Sequence, residues 1–255
     1  MLVPLLFLVV GGDMPVSEIM ARVGANQDRI AELRKRYIYL EKAHVQTRHT
    51  NGKLARDETT EYEVFPGPKG LQKKLTAAQG RYWHKGSYVE FKGKTIPDNN
   101  SLDEGLISSF REDDDMTNDL PLTTKSQKEY RFELLGEQVV DGRKAWRIGF
   151  GPANRNDISW AGEALIDGQE FQPFRIYTKL SRRLPFAIRT LLGTNLPGIG
   201  YNITCTRLDN GVWFPVSYGA EFTLHVLFVL NREINMSMER RDFHQAPLER
   251  FFTGP

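Results

Sequence analysis

The sequence predicts an α+β protein built on one large antiparallel sheet, with a helix near its start. Three observations lead to this fold class. Apolar and polar residues alternate in most runs after residue 43, as they do in strands with one buried and one exposed face. Dipeptides typical of hairpin turns, among them Asn51-Gly52 and Asp141-Gly142, separate these runs. Only residues 14–42 show the spacing of three and four that is typical of a helix.

Composition excludes several classes of protein. The chain has 255 residues, of which 40% are hydrophobic and 11% aromatic, which is enough for a core and argues against disorder. Lys and Arg total 34 and Asp and Glu total 32, so no bulk positive charge attracts nucleic acid. The single cysteine, Cys205, excludes an internal disulfide and any multi-cysteine metal site. It lies in an alternating run, where a small buried side chain is the preferred interpretation over a reactive thiol.

The chain begins with an apolar run, residues 2–10, followed by two glycines. The run is shorter than the roughly 20 residues that cross a bilayer. It is typical of the hydrophobic region of a secretory signal cut after Gly12, although no positively charged leader precedes it. We therefore expect residues 1–12 to be a signal-peptide remnant, residues 13–255 to form a single domain, and the protein to be exported to the periplasm. A short buried strand is the alternative for this run.

Residues 14–42 have helical periodicity. Their apolar members recur at steps of about three and four, from Val16 through Ile30 to Leu40. Gly24 weakens the middle, so both one bent helix and two short helices fit the pattern. The charged residues fall on the remaining side, which indicates a solvent-exposed face.

Alternating runs then fill most of the chain, and they are paired across turn signals. Their exposed side is polar, which favours an antiparallel over a parallel sheet. In the stretch 159–180, Trp160 and Ile166 share a face before the turn, and Phe174 and Ile176 share one after it. Pro215 predicts an edge or a bulge in the strand that contains it.

Two connections differ from hairpin turns. Residues 112–119 are rich in carboxylates, but they lack the glycine and the ordered ligand spacing of a calcium loop, so a solvated loop is the preferred interpretation and a weak calcium site the alternative. Residues 181–200, SRRLPFAIRTLLGTNLPGIG, are longer and more apolar than a hairpin needs. This segment fits a lid over an apolar cavity or a membrane contact, and equally a helix packed on the sheet. The lid candidates are Phe186, Ile188, Leu191 and Leu192.

Catalytic, metal and cofactor motifs were sought without success. The sequence has no G-x-S-x-G nucleophile elbow, no H-E-x-x-H pair and no complete phosphate-binding loop. His44 and His49 are five residues apart, which on a strand places them on opposite faces. We therefore expect no catalytic residue, no metal and no cofactor, and we expect that the protein is not an enzyme.

The hairpin 159–180 and its neighbours resemble the LolA, LolB and RseB family of lipoprotein carriers and sensors. The likeness is closest in AWRIGFGP, AGEALID and QPFRI, and its motif positions are Gly162, Leu165, Asp167, Pro173, Arg175 and Ile176. NGKLAR, LPFAIRTLLGTN and NGVWFPVSYG also resemble a group of exported bacterial proteins of unassigned function. The resemblance covers about residues 14–244. It implies one strongly curved sheet, an incomplete β-barrel of about 10–11 strands, covered by the N-terminal helix and short helical lid segments.

The resemblance also implies that the concave apolar face accepts acyl chains. The first functional hypothesis is an exported carrier-like protein that binds a lipid or an acylated lipoprotein. A membrane or a second protein would be its transient partner. The candidate lipid contacts are Trp146, Ile148, Phe150, Trp160, Phe174, Ile176, Tyr201 and Phe222. The alternative is a non-catalytic sensor or scaffold module with a filled core that binds a protein through its outer face or loops. The same residues then form an ordinary core.

Overall fold

The computed structural model describes residues 14–67, 70–97, 120–154, 159–180, 194–195, 200–226 and 230–247. These residues form one helix and twelve strands. The bounds are α1 Val16–Arg34, β1 Tyr37–Arg48, β2 Leu54–Gly67, β3 Gly70–His84, β4 Ser87–Gly93, β5 Tyr130–Val140, β6 Arg143–Pro152, β7 Trp160–Asp167, β8 Pro173–Leu180, β9 Thr194–Asn195, β10 Gly200–Arg207, β11 Trp213–Val226 and β12 Leu230–Gln245. A single 3-10 turn, Ser126–Glu129, precedes β5.

Helix α1 begins after Pro15 and ends at Arg34. Proline suits this boundary because its fixed φ, here −58°, leads into a helix and its missing N–H would have no partner there. Glu18 in the first turn and Arg34 in the last turn complement the helix dipole. The apolar residues of α1 that are buried are Ile19, Met20, Val23 and Ile30.

The prediction of helix as far as residue 42 is wrong beyond α1, because Tyr37–Arg48 is strand β1. Tyr37, Ile38 and Tyr39 are all buried, so both faces of β1 are covered at its start. Three consecutive buried residues are compatible with a helix as well as with a strand. In so short a run, periodicity alone does not distinguish a helix from a strand.

Eleven strands follow one another in a single antiparallel path, β4-β3-β2-β1-β12-β11-β10-β8-β7-β6-β5, and the two-residue β9 pairs with β11 beside it. The path joins two meanders. Strands β1 to β4 form the first and β5 to β12 the second, and among the strands that the structure describes only the pairing of β1 with β12 connects them. Among the described strands, β4 and β5 remain edges, so the sheet is open. The predicted antiparallel sheet, its strand number and the N-terminal helix are confirmed.

The hairpin turns lie where their dipeptides predict them. Gly52 has φ 79° between β1 and β2, and Asp141 and Gly142 have φ 50° and 77° between β5 and β6. Asp141 and Gly142 form a two-residue turn, which requires positive φ at both positions, and Gly52 takes its positive φ in the longer connection 49–53. The register between β10 and β11 shifts beside Pro215, which confirms the predicted bulge.

One face of the sheet, here called the interior face, packs against α1. A row of cross-strand partners crosses it from β6 to β12: Ile148, Ala164, Ile176, Ile203, Tyr218 and Met238. All six are buried in one apolar cluster, together with Ile19, Met20 and Val23 of α1. Cys205 belongs to the same cluster, as its interpretation as a small buried side chain predicts.

Several predictions fall outside the described residues. These are the signal-peptide remnant at residues 1–12, the acidic segment 112–119, and the helical lid with Phe186, Ile188, Leu191 and Leu192. A second, smaller apolar cluster joins the second half of α1 to the starts of β1 and β11, through Ile30, Tyr37 and Phe214. The helix that the structure describes is not apolar enough to cross a membrane.

Candidate functional site

The structure gathers the predicted contact residues on the interior face. Trp146, Ile148, Phe150 and Ile176 are buried members of the apolar cluster, and Trp160, Phe174 and Tyr201 are half-buried against it. Phe222 lies on β11 opposite Ile234, and its side chain is outside the described part of the chain. Alternation along the strands is therefore enough to bring these side chains to one face.

Helix α1 occupies much of that face. Ile19 and Val23 are 0% exposed and Met20 is 3% exposed, and they pack in the same cluster as Trp146 and Ile148. The deepest of the predicted contacts thus touch α1 and one another. In this structure they form a packed core and not an empty groove.

The half-buried aromatic residues lie at one end of the interior face, which we call the aromatic rim: Tyr130, Phe132, Trp160 and Tyr201. The rings of Trp160 and Tyr201 meet edge to face with centroids 5.0 Å apart, and those of Tyr130 and Phe150 are 6.4 Å apart. The Tyr130 hydroxyl is hydrogen-bonded to Ser159, the residue before Trp160. Aromatic residues that are only partly covered at the margin of an apolar core offer a surface for an apolar ligand.

The opposite end of the same strands is held by the turn between β7 and β8. Asp167, 1% exposed, accepts hydrogen bonds from the backbone N–H of Gln169 at 3.0 Å and of Glu170 at 2.7 Å. Its second oxygen accepts a hydrogen bond from Nε of Arg143 at 2.6 Å. The aspartate of the hairpin motif therefore shapes this turn and ties it to the start of β6.

Glu170 is the hub of this turn, and the sequence patterns did not single it out. It accepts hydrogen bonds from Arg143 at 3.0 Å, from Arg207 at 3.1 Å and from the indole N–H of Trp213 at 2.9 Å. Burial by itself raises the pKa of the Glu170 carboxyl, but the hydrogen bonds from Trp213, Arg143 and Arg207 outweigh burial and lower the pKa below its ordinary value. The hydrogen bonds to Asp167 and then to Glu170 raise the pKa of Arg143.

Helix α1 is attached to the same turn. The Asn26 side-chain amide donates to the carbonyl of Glu170 at 2.9 Å, and Gln27 donates to the side chain of Gln172 at 2.5 Å. The guanidinium of Arg22 lies 4.8 Å from the centroid of the Phe171 ring. These contacts fix the middle of α1 over one end of the interior face, away from the aromatic rim.

Buried charges occupy the interior face of the first meander. Glu41 on β1 is 2% exposed and accepts from Arg240 of β12 at 2.9 Å, while Lys73 of β3 lies 3.1 Å from its other oxygen. Arg56 and Glu58 on β2 form a second buried ion pair. The sequence contained a signal for the second pair, because Arg56 and Glu58 are two residues apart and share a parity with the buried residues Thr60 and Val64. The described residues contain no group of three or more His, Cys, Asp or Glu that could hold a metal ion.

No protein-family model matches the chain, and no curated protein matches it significantly. Solved structures with a similar fold include a protein of the DUF1329 family from Desulfovibrio piger, at 12% identity and a TM-score of 0.39, with 91% of this chain and 93% of that chain covered.

Two further similar structures are of the group that the sequence resembles. One is a LolA superfamily protein from Nitrosomonas europaea, at 11% identity and a TM-score of 0.37, with 92% of this chain and 97% of that chain covered. The other is an outer-membrane lipoprotein-sorting protein domain from Vibrio parahaemolyticus, at 12% identity and a TM-score of 0.35, with 89% and 97% covered. At these values the likeness carries no information on ligand or activity.

Proposed function

We propose that this is an exported, periplasmic binding protein, without catalytic activity, that takes up a lipid or the acyl chain of a lipoprotein on the concave interior face of its sheet. The observation that carries the proposal is the aromatic rim. It is half-buried, it is continuous with the apolar cluster, and it lies at the margin of a sheet that does not close. An acyl chain that entered there would contact Trp160 and Tyr201 first.

The position of α1 supports entry at the rim. Gln27 is fixed at the turn after β7, whereas Val16 lies eleven residues earlier, about 16 Å along the helix axis. The carbonyl of Met20 accepts from Gln127, which stands three residues before Tyr130 of the rim. The start of α1 therefore points toward the rim, where Met14 and Val16 are only partly buried. A tilt of this end about its attachment at the turn would open space next to Phe150.

Apolar burial supplies enough free energy for such binding. Each methylene transferred from water into an apolar site contributes about 0.8 kcal/mol, so eight methylenes contribute about 6 kcal/mol. Part of this offsets the cost of lifting the apolar residues of α1 from the cluster. Weak, reversible binding follows, which suits a carrier that must also release its ligand.

The test compares two variants on neighbouring strands, each of which replaces an aromatic residue with glutamate. Trp160→Glu places a charge in the aromatic rim, whereas Tyr177→Glu places one on the opposite face of β8, where Tyr177 is 50% exposed. Purified wild-type protein is expected to take up a fluorescent fatty acid that oleate displaces. We expect Trp160→Glu to weaken this uptake at least tenfold and Tyr177→Glu to leave it unchanged. Wild-type protein that yields no extractable lipid and takes up no fatty acid would contradict the proposal.

A specific observation also favours the second candidate, a sensor or scaffold module that binds a protein. Trp146, Ile148, Phe150 and Ile176 are all buried in the apolar cluster that α1 joins, as the residues of a filled core are. For this candidate, the protein partner binds to the outer face of the sheet or to the loops. Binding of a protein partner that requires the acidic segment 112–119 and is indifferent to Trp160→Glu is the expected result for this candidate, and it distinguishes the two.

A further inference from the structure

A cavity of about 340 Å³ lies at the end of the sheet opposite the aromatic rim. It is bordered by the turn between β5 and β6, by the ends of β7 and β10, and by the starts of β8 and β11. Its volume is in the range of small-molecule sites, which begins at about 300 Å³. It is separate from the rim, because each of β7, β8 and β10 has one end at the rim and the other at this cavity.

The walls of the cavity combine an apolar floor with guanidinium groups. Phe174, Cys205 and Trp213 supply the floor, and the last two are only 6% and 5% exposed. Arg143, Arg175 and Arg207 line the cavity around them. Thr204, the cross-strand partner of Arg175, adds a hydroxyl to the wall.

Two of the three arginines are already neutralised. Arg143 binds Asp167 and Glu170, and Arg207 binds Glu170. The side chain of Arg175 forms no ion pair or hydrogen bond with any residue that the structure describes, and it is exposed and lines the cavity. The two paired arginines are held in fixed positions, which leaves Arg175 as the cation that can receive a ligand.

Two carboxylates line the cavity, and one of them, Asp167, is already paired with Arg143. Asp141, on the exposed turn between β5 and β6, also lines the cavity and has no ion-pair partner within the described residues. Its φ of 50° is set by the tight turn. Its charge therefore acts on a bound ligand in the direction opposite to that of Arg175.

We propose that this cavity binds a small organic anion, a carboxylate or phosphate attached to an apolar body. The anion pairs with the guanidinium of Arg175, whose planar fork accepts a two-oxygen partner, beside the hydroxyl of Thr204. The apolar body lies against Phe174, which is half-buried and lines the cavity together with Trp213. The site is independent of the acyl-chain site, because the two lie at opposite ends of the sheet.

The test uses 4-fluorophenyl phosphate as the probe, followed by ligand-observed fluorine NMR with the full chain. The two charged residues predict opposite effects. Arg175→Gln is expected to weaken binding about tenfold, because it removes the pairing charge, and Asp141→Asn to tighten it about two- to threefold, because it removes the opposing charge. Both residues are exposed, so neither variant disturbs the core.

A matched control is Arg147→Gln. Arg147 lies on β6, pairs with Glu163 at 3.1 Å and does not line the cavity, so we expect no change in affinity. The cationic analogue 4-fluorobenzylamine is expected not to bind. Absence of probe binding to the wild-type protein, equal binding of the cation, or equal affinities of the Arg175 and Arg147 variants would each overturn the proposal. None of these results depends on fatty-acid uptake.

Discussion

Arg240 of β12 donates from Nε to Oε2 of Glu41 on β1 at 2.9 Å, and the two residues are direct cross-strand partners at the only junction between the two meanders. Their side chains are 4% and 2% exposed. Arg240 also donates to the Tyr218 hydroxyl at 3.0 Å and lies over the rings of Tyr39 and Tyr218. The charged pair is thus buried, with the rings of Tyr39 and Tyr218 packed against Arg240.

Breaking this pair is expected to destabilise the fold strongly. Arg240→Met leaves the Glu41 carboxylate buried with one partner fewer, and we expect a loss of about 3–5 kcal/mol in the free energy of unfolding. Lys73 lies 3.1 Å from the other oxygen of Glu41, so the charge-free reference is the triple variant Glu41→Leu/Lys73→Met/Arg240→Met, which is expected to recover most of that loss. Urea unfolding of the wild type and the two variants measures it, and a triple variant as unstable as the single one would contradict the argument.

An exposed pair offers the contrast. Lys42 and Glu61 are neighbours on the outer face, 4.0 Å apart, with side chains 49% and 33% exposed. We expect Lys42→Ala to change the unfolding free energy by less than about 1 kcal/mol, because water already screens this pair. A cost equal to that of Arg240→Met would show that burial is not the deciding factor.

Glu170 makes stability depend on pH in the acid range. Hydrogen bonds from Trp213, Arg143 and Arg207 overcome the effect of burial and hold its pKa below the ordinary value of 4.5. Because the folded state binds the proton more weakly than the unfolded state, this contribution is fully present above pH 4.5 and is lost as the pH falls through the folded-state pKa. The Glu170→Gln variant lacks it at every pH.

Thermal unfolding of wild type and Glu170→Gln between pH 7 and pH 3 measures this effect. We expect the difference in melting temperature to be constant above about pH 5 and to shrink below it. A difference that stays the same down to pH 3 would assign the effect of the variant to lost packing and not to the ionised carboxylate.

Gly162 on β7 is required by close backbone approach. A Cβ built at this position would lie 2.0 Å from the backbone oxygen of Tyr177 on β8. We expect Gly162→Ala to lower the unfolding free energy by roughly 1–3 kcal/mol through forced strand separation. At Gly219 on β11 no atom of the residues that the structure describes lies within 4 Å of the same position, so Gly219→Ala is the control, expected to be neutral or slightly stabilising. Equal effects of the two variants would exclude the steric explanation.

The sequence predicted the features that depend only on residues close to one another in the chain. Alternation placed Trp146, Ile148 and Ile176 on one face, and turn dipeptides placed the hairpins, because side-chain direction and turn dihedrals depend on near neighbours. The same local rule failed at Tyr37–Arg48, where a short apolar run fits two periods equally.

Features that depend on topology were out of reach. Glu170 stands in a turn without periodicity, and its partners Arg143, Arg207 and Trp213 meet it only because β6, β10 and β11 end beside that turn. The cavity at Arg175 arises in the same way, from the ends of six strands between residues 140 and 213. Nor does alternation tell a ligand groove from a filled core, since both need the same apolar residues on the same parity.

The strand order has a consequence for how fast the protein reaches its native state. Every neighbouring pair in the path joins strands close in sequence except β1 and β12, whose partners Glu41 and Arg240 are 199 residues apart. Within the meanders the longest connection is residues 181–199, between β8 and β10, whereas the junction needs the last strand to find the first. Folding slows as contacts become more distant in sequence, so this junction is the expected kinetic bottleneck. A chain still emerging from the ribosome lacks β12, so the sheet is completed only after synthesis has reached the last strand.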